Sequence, residues 1–80
     1  MVDDMKIIGG NIRRIRTERK MTQVQLAKAI GVTVATISSY ECGKTTPTRY
    51  LLEQIAWNLK TTPSEILSTT QAKDTFGYRD

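Results

Sequence analysis

Residues able to carry reaction chemistry are few and scattered in this 80-residue chain. Histidine is absent, which removes the commonest general base and metal ligand. Cys42 is the sole cysteine and has no histidine to activate it, so it makes no nucleophile signature. The glutamates and aspartates are dispersed, mostly at helix starts and tails. Gly9-Gly10 lacks both the spacing of a phosphate-cradling loop and a strand before it. An enzyme is therefore not expected, and neither is a metal or other cofactor.

Positive charge, by contrast, is concentrated. Residues 6–49 hold nine basic side chains (Lys6, Arg13, Arg14, Arg16, Arg19, Lys20, Lys28, Lys44 and Arg49) against Glu18 and Glu41 alone. Residues 50–80 carry Lys60, Lys73 and Arg79 against Glu53, Glu65, Asp74 and Asp80. One part of the molecule thus attracts polyanions and the other does not. Any one of Arg13, Arg14 and Arg19 is adequately explained as solvating an exposed helix face; the asymmetry as a whole favours nucleic acid.

The elements that must position these groups are legible as five helices and no strands. In the segment TQVQLAKAIGVTVATISSYE, residues 22–41, Thr22 followed three residues later by Gln25 has capping-box spacing. Leu26, Ala27 and Ile30 then share a face, and Gly31 ends the helix where a left-handed residue is wanted. Thr33 caps the next helix, with Ile37 and Tyr40 on its inner side. Two such helices joined by a short glycine turn make a helix-turn-helix. Before them, a helix over about residues 5–19 carries the stripe Ile8, Ile12 and Ile15, with Asp3 or Asp4 near its positive end. Gly9 and Gly10 each cost that helix roughly 1 kcal/mol relative to alanine. A neighbouring helix approaching closely at Gly9 would explain one of them.

A loop with Gly43 follows, over residues 42–46. A fourth helix then runs to about residue 59, capped either by Thr46 with Pro47 at its first position or by Thr48. Its buried stripe is Leu52, Ile55, Ala56 and Leu59. Thr62-Pro63-Ser64-Glu65 starts a short fifth helix with an N-cap, a first-turn proline and a capping-box glutamate, and Ile66 and Leu67 close the core. The expected organisation is one domain over residues 1–67 and a polar tail over 68–80. That length leaves no room for an effector-sensing domain, so no small-molecule effector is expected. No apolar run approaches the roughly 20 residues of a membrane span, and no charged-then-apolar leader opens the chain. With one unpaired cysteine, a reducing cytoplasmic location is expected.

From Gly9 to Leu67, about three quarters of the chain, the sequence resembles the Cro and lambda-repressor-like, XRE-type helix-turn-helix regulators. The resemblance rests on IRRIR at 12–16, TQVQLAKAIGVT at 22–33, ISSYECGK at 37–44, Pro47, and LLEQIAWNL at 51–59. It implies an all-α, compact five-helix bundle, and a sequence-specific regulator, a repressor in the first instance, of double-stranded DNA. The recognition helix, residues 33–41, would lie in the major groove of a two-fold operator bound by a homodimer. The resemblance further implies that Arg16 and Glu41 form an internal ion pair. It assigns backbone phosphate contacts to Thr22, Gln23, Lys44 and Arg49, and base contacts to Thr33, Val34, Ala35, Ser38 and Ser39.

Relatives often place Gln, Arg, Asn or Lys at the positions of Val34, Ala35 and Ser39. Those long readers are absent here, so thymine methyl contacts and DNA shape should carry much of the discrimination. Lys60 stands where relatives have a glycine. Trp57 stands where they carry a polar residue; it is either partly covered by its own helix or by Phe76 and Tyr78 of the tail, or part of a dimer surface with Ile66, Phe76 and Tyr78. Small members of this fold also serve as antitoxins or anti-repressors, and a protein-binding tail is the rival reading.

Overall fold

The computed structural model describes residues 4–68, and these fold as five helices without strands. They are α1 (Asp4–Glu18), α2 (Gln23–Ile30), α3 (Val34–Glu41), α4 (Arg49–Asn58) and α5 (Pro63–Leu67). Each boundary follows from local chemistry. Both halves of the capping box at α2 form: Gln25 N–H donates to Thr22 Oγ1 at 3.0 Å, and Thr22 N–H donates to Gln25 Oε1 at 2.8 Å. Gly31, at φ 77°, closes α2 by donating to the Ala27 carbonyl. Thr33 caps α3 through Thr36 N–H. Thr48, not Thr46, caps α4 by accepting from Leu51 N–H at 3.2 Å, which leaves Pro47 outside the helix. At α5 the Thr62 hydroxyl accepts from Glu65 N–H, but the reciprocal bond from Thr62 to the Glu65 carboxylate is not made.

The apolar stripes meet in one core. Ile12 and Ile15 of α1, Leu26 and Ala27 of α2, Ile37 and Tyr40 of α3, Leu52, Ile55 and Ala56 of α4, then Leu59 and Ile66, are all buried. Burial pushes the Tyr40 phenol above its ordinary pKa, because the charged form would lose its hydration. Two expectations fail here. Leu67 does not close the core: it is 46% exposed, since a five-residue helix turns only one of its adjacent apolar positions inward. Ile66 takes that position and is fully buried, so it cannot form part of a dimer surface.

Three contacts link distant segments: two have no local signature, and the third is the close approach expected at Gly9. Asn11, buried on α1, donates its Nδ2 to the carbonyls of Ile66 at 2.8 Å and Ser68 at 2.9 Å, fastening α5 to α1. Arg19 donates Nε to the Leu59 carbonyl at 2.7 Å and Nη2 to the Lys60 carbonyl at 3.4 Å. It therefore places a cation on the negative, unsatisfied end of α4 rather than merely solvating α1. Gly9 admits the backbone of α3: a Cβ there would overlap the Tyr40 carbonyl oxygen and crowd that of Glu41.

Lys60 adopts φ 57°, the left-handed conformation that glycine takes most readily. For a residue with a Cβ this costs about 1 kcal/mol or more. Its side chain is exposed. Lys60→Gly should therefore stabilise the fold by about 1 kcal/mol and raise the thermal midpoint by roughly 4–8 °C, read by circular dichroism. An unchanged or lower midpoint would contradict this account of the turn.

Candidate nucleic-acid interface

The start of α2 is built to leave donors open. Its capping box satisfies Thr22 N–H and Gln25 N–H, and Leu26 N–H bonds the Thr22 carbonyl. Among the described residues no acceptor meets the N–H groups of Gln23 and Val24. They lie at the positive end of the helix dipole, where an anion is favoured. The Thr22 hydroxyl accepts the capping bond and so keeps its own proton for a further acceptor.

Behind these donors sits a polar cluster. Arg16 of α1 donates Nε to Glu41 Oε2 at 2.6 Å and Nη2 to Glu41 Oε1 at 3.0 Å, a two-point pairing with the last residue of α3. Its third nitrogen, Nη1, donates to the Met21 carbonyl at 2.8 Å. The two side chains are only 10% and 4% exposed. Gln23 is not free on the surface: its Nε2 donates to Glu41 Oε1 at 3.0 Å. That bond was not anticipated, because it spans 18 residues and the family pattern marks Gln23 only as an outward contact.

Thr33, Val34 and Ala35 are exposed and Ser38 and Ser39 half-buried, so these five positions share the open side of α3. The Thr33 hydroxyl is less available than its position suggests. It accepts from Thr36 N–H at 3.1 Å and shares a hydrogen bond with Thr36 Oγ1 at 2.9 Å. The two hydroxyls thus retain one unshared proton between them, and Thr36 joins the set of residues at this edge. A threonine three residues after a threonine cap was the available signal.

Past α3, Gly43 takes φ 77° and Lys44 is exposed on the turn. A Cβ on Gly43 would stand 2.7 Å from Lys6 Cγ and 3.0 Å from Lys6 Cα. The first turn of α1 is therefore seated on the turn that carries Lys44, which brings Lys6 to the same end of α3. Arg49 opens α4 in full solvent, with only a long 3.5 Å contact to Glu53. Trp57 is 80% exposed, so its own helix does not cover it; Tyr50, seven residues earlier on α4, is exposed as well. Phe76 and Tyr78 lie outside the described residues. No helix here is long and apolar enough to cross a membrane, and no group of metal-ligating side chains occurs among the described residues.

The fold that carries these groups has counterparts among known proteins. The helix-turn-helix family HTH_3 matches residues 12–66, more than half of the chain. The chain belongs to this helix-turn-helix family. The XRE-type resemblance of the motifs stands with it. An "uncharacterized HTH-type transcriptional regulator y4dJ" of Sinorhizobium fredii is 31% identical over 78 residues, covering 98% of this chain and 100% of the relative. Among solved structures, the P22 c2 repressor in complex with a synthetic operator superposes with a TM-score of 0.73 at 31% identity, covering 76% of this chain and 92% of that one. The restriction-modification controller C.AhdI of Aeromonas hydrophila shares the fold, with a TM-score of 0.76 at 23% identity over 81% of this chain and 98% of that one. The HTH_3 protein described here is accordingly a DNA-binding transcriptional regulator of the XRE type, not an enzyme.

Proposed function

We propose that this regulator represses transcription as a homodimer on a two-fold operator, with α3 in the major groove of each half-site. The observation that carries the reading is the open side of α3, Val34 to Ser39, flanked by unsatisfied donors at α2 and by Lys44 on the next turn. Thr22, Gln23, Lys44 and Arg49 fix the register by holding phosphates, and Thr33, Val34, Ala35, Ser38 and Ser39 meet base edges. Thymine methyls suit Val34 and Ala35, and the hydroxyls accept or donate to several bases, so DNA shape supplies much of the discrimination. The P22 c2 repressor, bound to its operator, supports this placement by likeness. The exposed Trp57 and Tyr50 supply apolar surface for the second copy.

Selection of bound duplexes from a random pool tests the reading: a two-fold repeat is expected, with half-sites about one helical turn apart. Val34→Gln should change the selected half-site. Lys44→Ala should weaken every site alike and reduce the salt dependence of binding by about one phosphate contact. An unordered pool, or one unchanged by Val34→Gln, would overturn it.

A further inference from the structure

Glu41 has more partners than an ion pair requires. Arg16 occupies both carboxylate oxygens, and Gln23 Nε2 is a third donor, on Oε1 at 3.0 Å. The three residues belong to three helices: Arg16 to α1, Gln23 at the first position of α2, and Glu41 at the last of α3. A carboxylate only accepts, so it decides which end of the Gln23 carboxamide turns inward: the NH2 group faces Glu41. Because the amide is planar, holding one Nε2–H also restricts where the second can point. The Arg16 guanidinium offsets the Glu41 charge, so an anion beside Gln23 meets no bare carboxylate.

We propose that Glu41 is a positioning residue for DNA-backbone binding: its grip on Gln23 Nε2 holds the carboxamide so that the second Nε2–H and the open N–H groups of Gln23 and Val24 serve the same phosphate. This rests on the reading of the α2 N-terminus as a phosphate contact. A glutamine loose on a helix surface loses several rotatable bonds when it engages a ligand, whereas here they are fixed in the free protein. That pre-ordering is worth about tenfold in affinity. The ion pair thereby has a second role, coupling the packing of α1 against α3 to the donor set of α2.

The test compares Gln23→Ala in the parent protein and in an Arg16→Met/Glu41→Met background, which replaces the ion pair by apolar side chains. The probe is a short random-sequence duplex at low salt, since a phosphate contact is read without sequence. Gln23→Ala should weaken binding about tenfold in the parent and less than about twofold in the double-methionine background. Equal losses in both would mean that Gln23 acts without Glu41, which overturns the positioning role and leaves the phosphate contact standing. No loss in either would remove the contact and the positioning together. If the double-methionine background fails to fold, nuclear magnetic resonance of the unaltered protein decides. One Gln23 Nε2 proton should be protected in the free protein and the other should shift only when duplex is added; two solvent-averaged protons overturn the proposal.

Discussion

Glu41→Ala is expected to destabilise the fold by about 3–5 kcal/mol, the range for removing one member of a buried ion pair. In a domain of this size that lowers the thermal midpoint by more than roughly 12 °C. The reason is what remains behind. Without Glu41, the Arg16 guanidinium keeps only the Met21 carbonyl as a partner, and Gln23 loses the acceptor for its carboxamide. Arg16→Met should be comparably damaging, because it strands a carboxylate that is 4% exposed with a single neutral donor. Replacing both by methionine should restore most of the loss, since no unpaired charge is then buried. Thermal melts of the two single variants and the double variant measure this. Additive losses in the double would show that the two charges do not depend on each other.

Gly9 and Gly10 should respond to alanine with opposite signs although they are adjacent in one helix. At Gly9 the new methyl overlaps the Tyr40 carbonyl oxygen and lies within 2.9 Å of that of Glu41, and neither backbone atom can swing aside. Gly9→Ala must push α1 away from the end of α3, at a cost of about 3 kcal/mol or more. At Gly10 a Cβ meets nothing within 4 Å, and the position is an exposed helix interior. Gly10→Ala should therefore stabilise by about 1 kcal/mol, the intrinsic helix preference for alanine. Chemical denaturation of both variants gives the two values, and losses of the same sign would refute the packing argument.

The sequence was most legible where a residue acts on its own neighbours. Thr22, Thr33 and Thr62 cap the helices their spacing announced, and Gly31 takes the predicted left-handed turn. Leu52, Ile55, Ala56 and Leu59 are buried as helical periodicity requires, and of the stripe Ile8, Ile12 and Ile15 the last two are buried while Ile8 packs half-buried against the core. Legibility fell off where one side chain serves a distant element. Arg19 looks like any surface arginine until α4 ends against it, 40 residues later. Asn11 looks misplaced among isoleucines until the carbonyls of Ile66 and Ser68 arrive. The Arg16 and Glu41 pair was visible through family likeness and through the position of Glu41 beside the buried Tyr40, where a charge needs a partner, but neither included the Gln23 bond. Leu67 and Ile66 could not be ranked because five residues are too few to define a face.

The seat of α3 has a mechanical consequence. Its last turn is pressed against the backbone of α1 at Gly9 and clamped by Arg16, while Gly43 of the following turn rests on Lys6. A helix held at that end by carbonyl contact and a two-point charge pairing has little freedom to tilt or slide relative to its own domain. When such a protein meets a duplex whose grooves do not match, compliance has to come from the duplex. If α3 enters the major groove as proposed, base-pair steps that yield easily would be accepted and stiff ones refused, even where no side chain touches them. On that reading the protein would behave as a die, and the flexural character of the DNA would become part of what it reads.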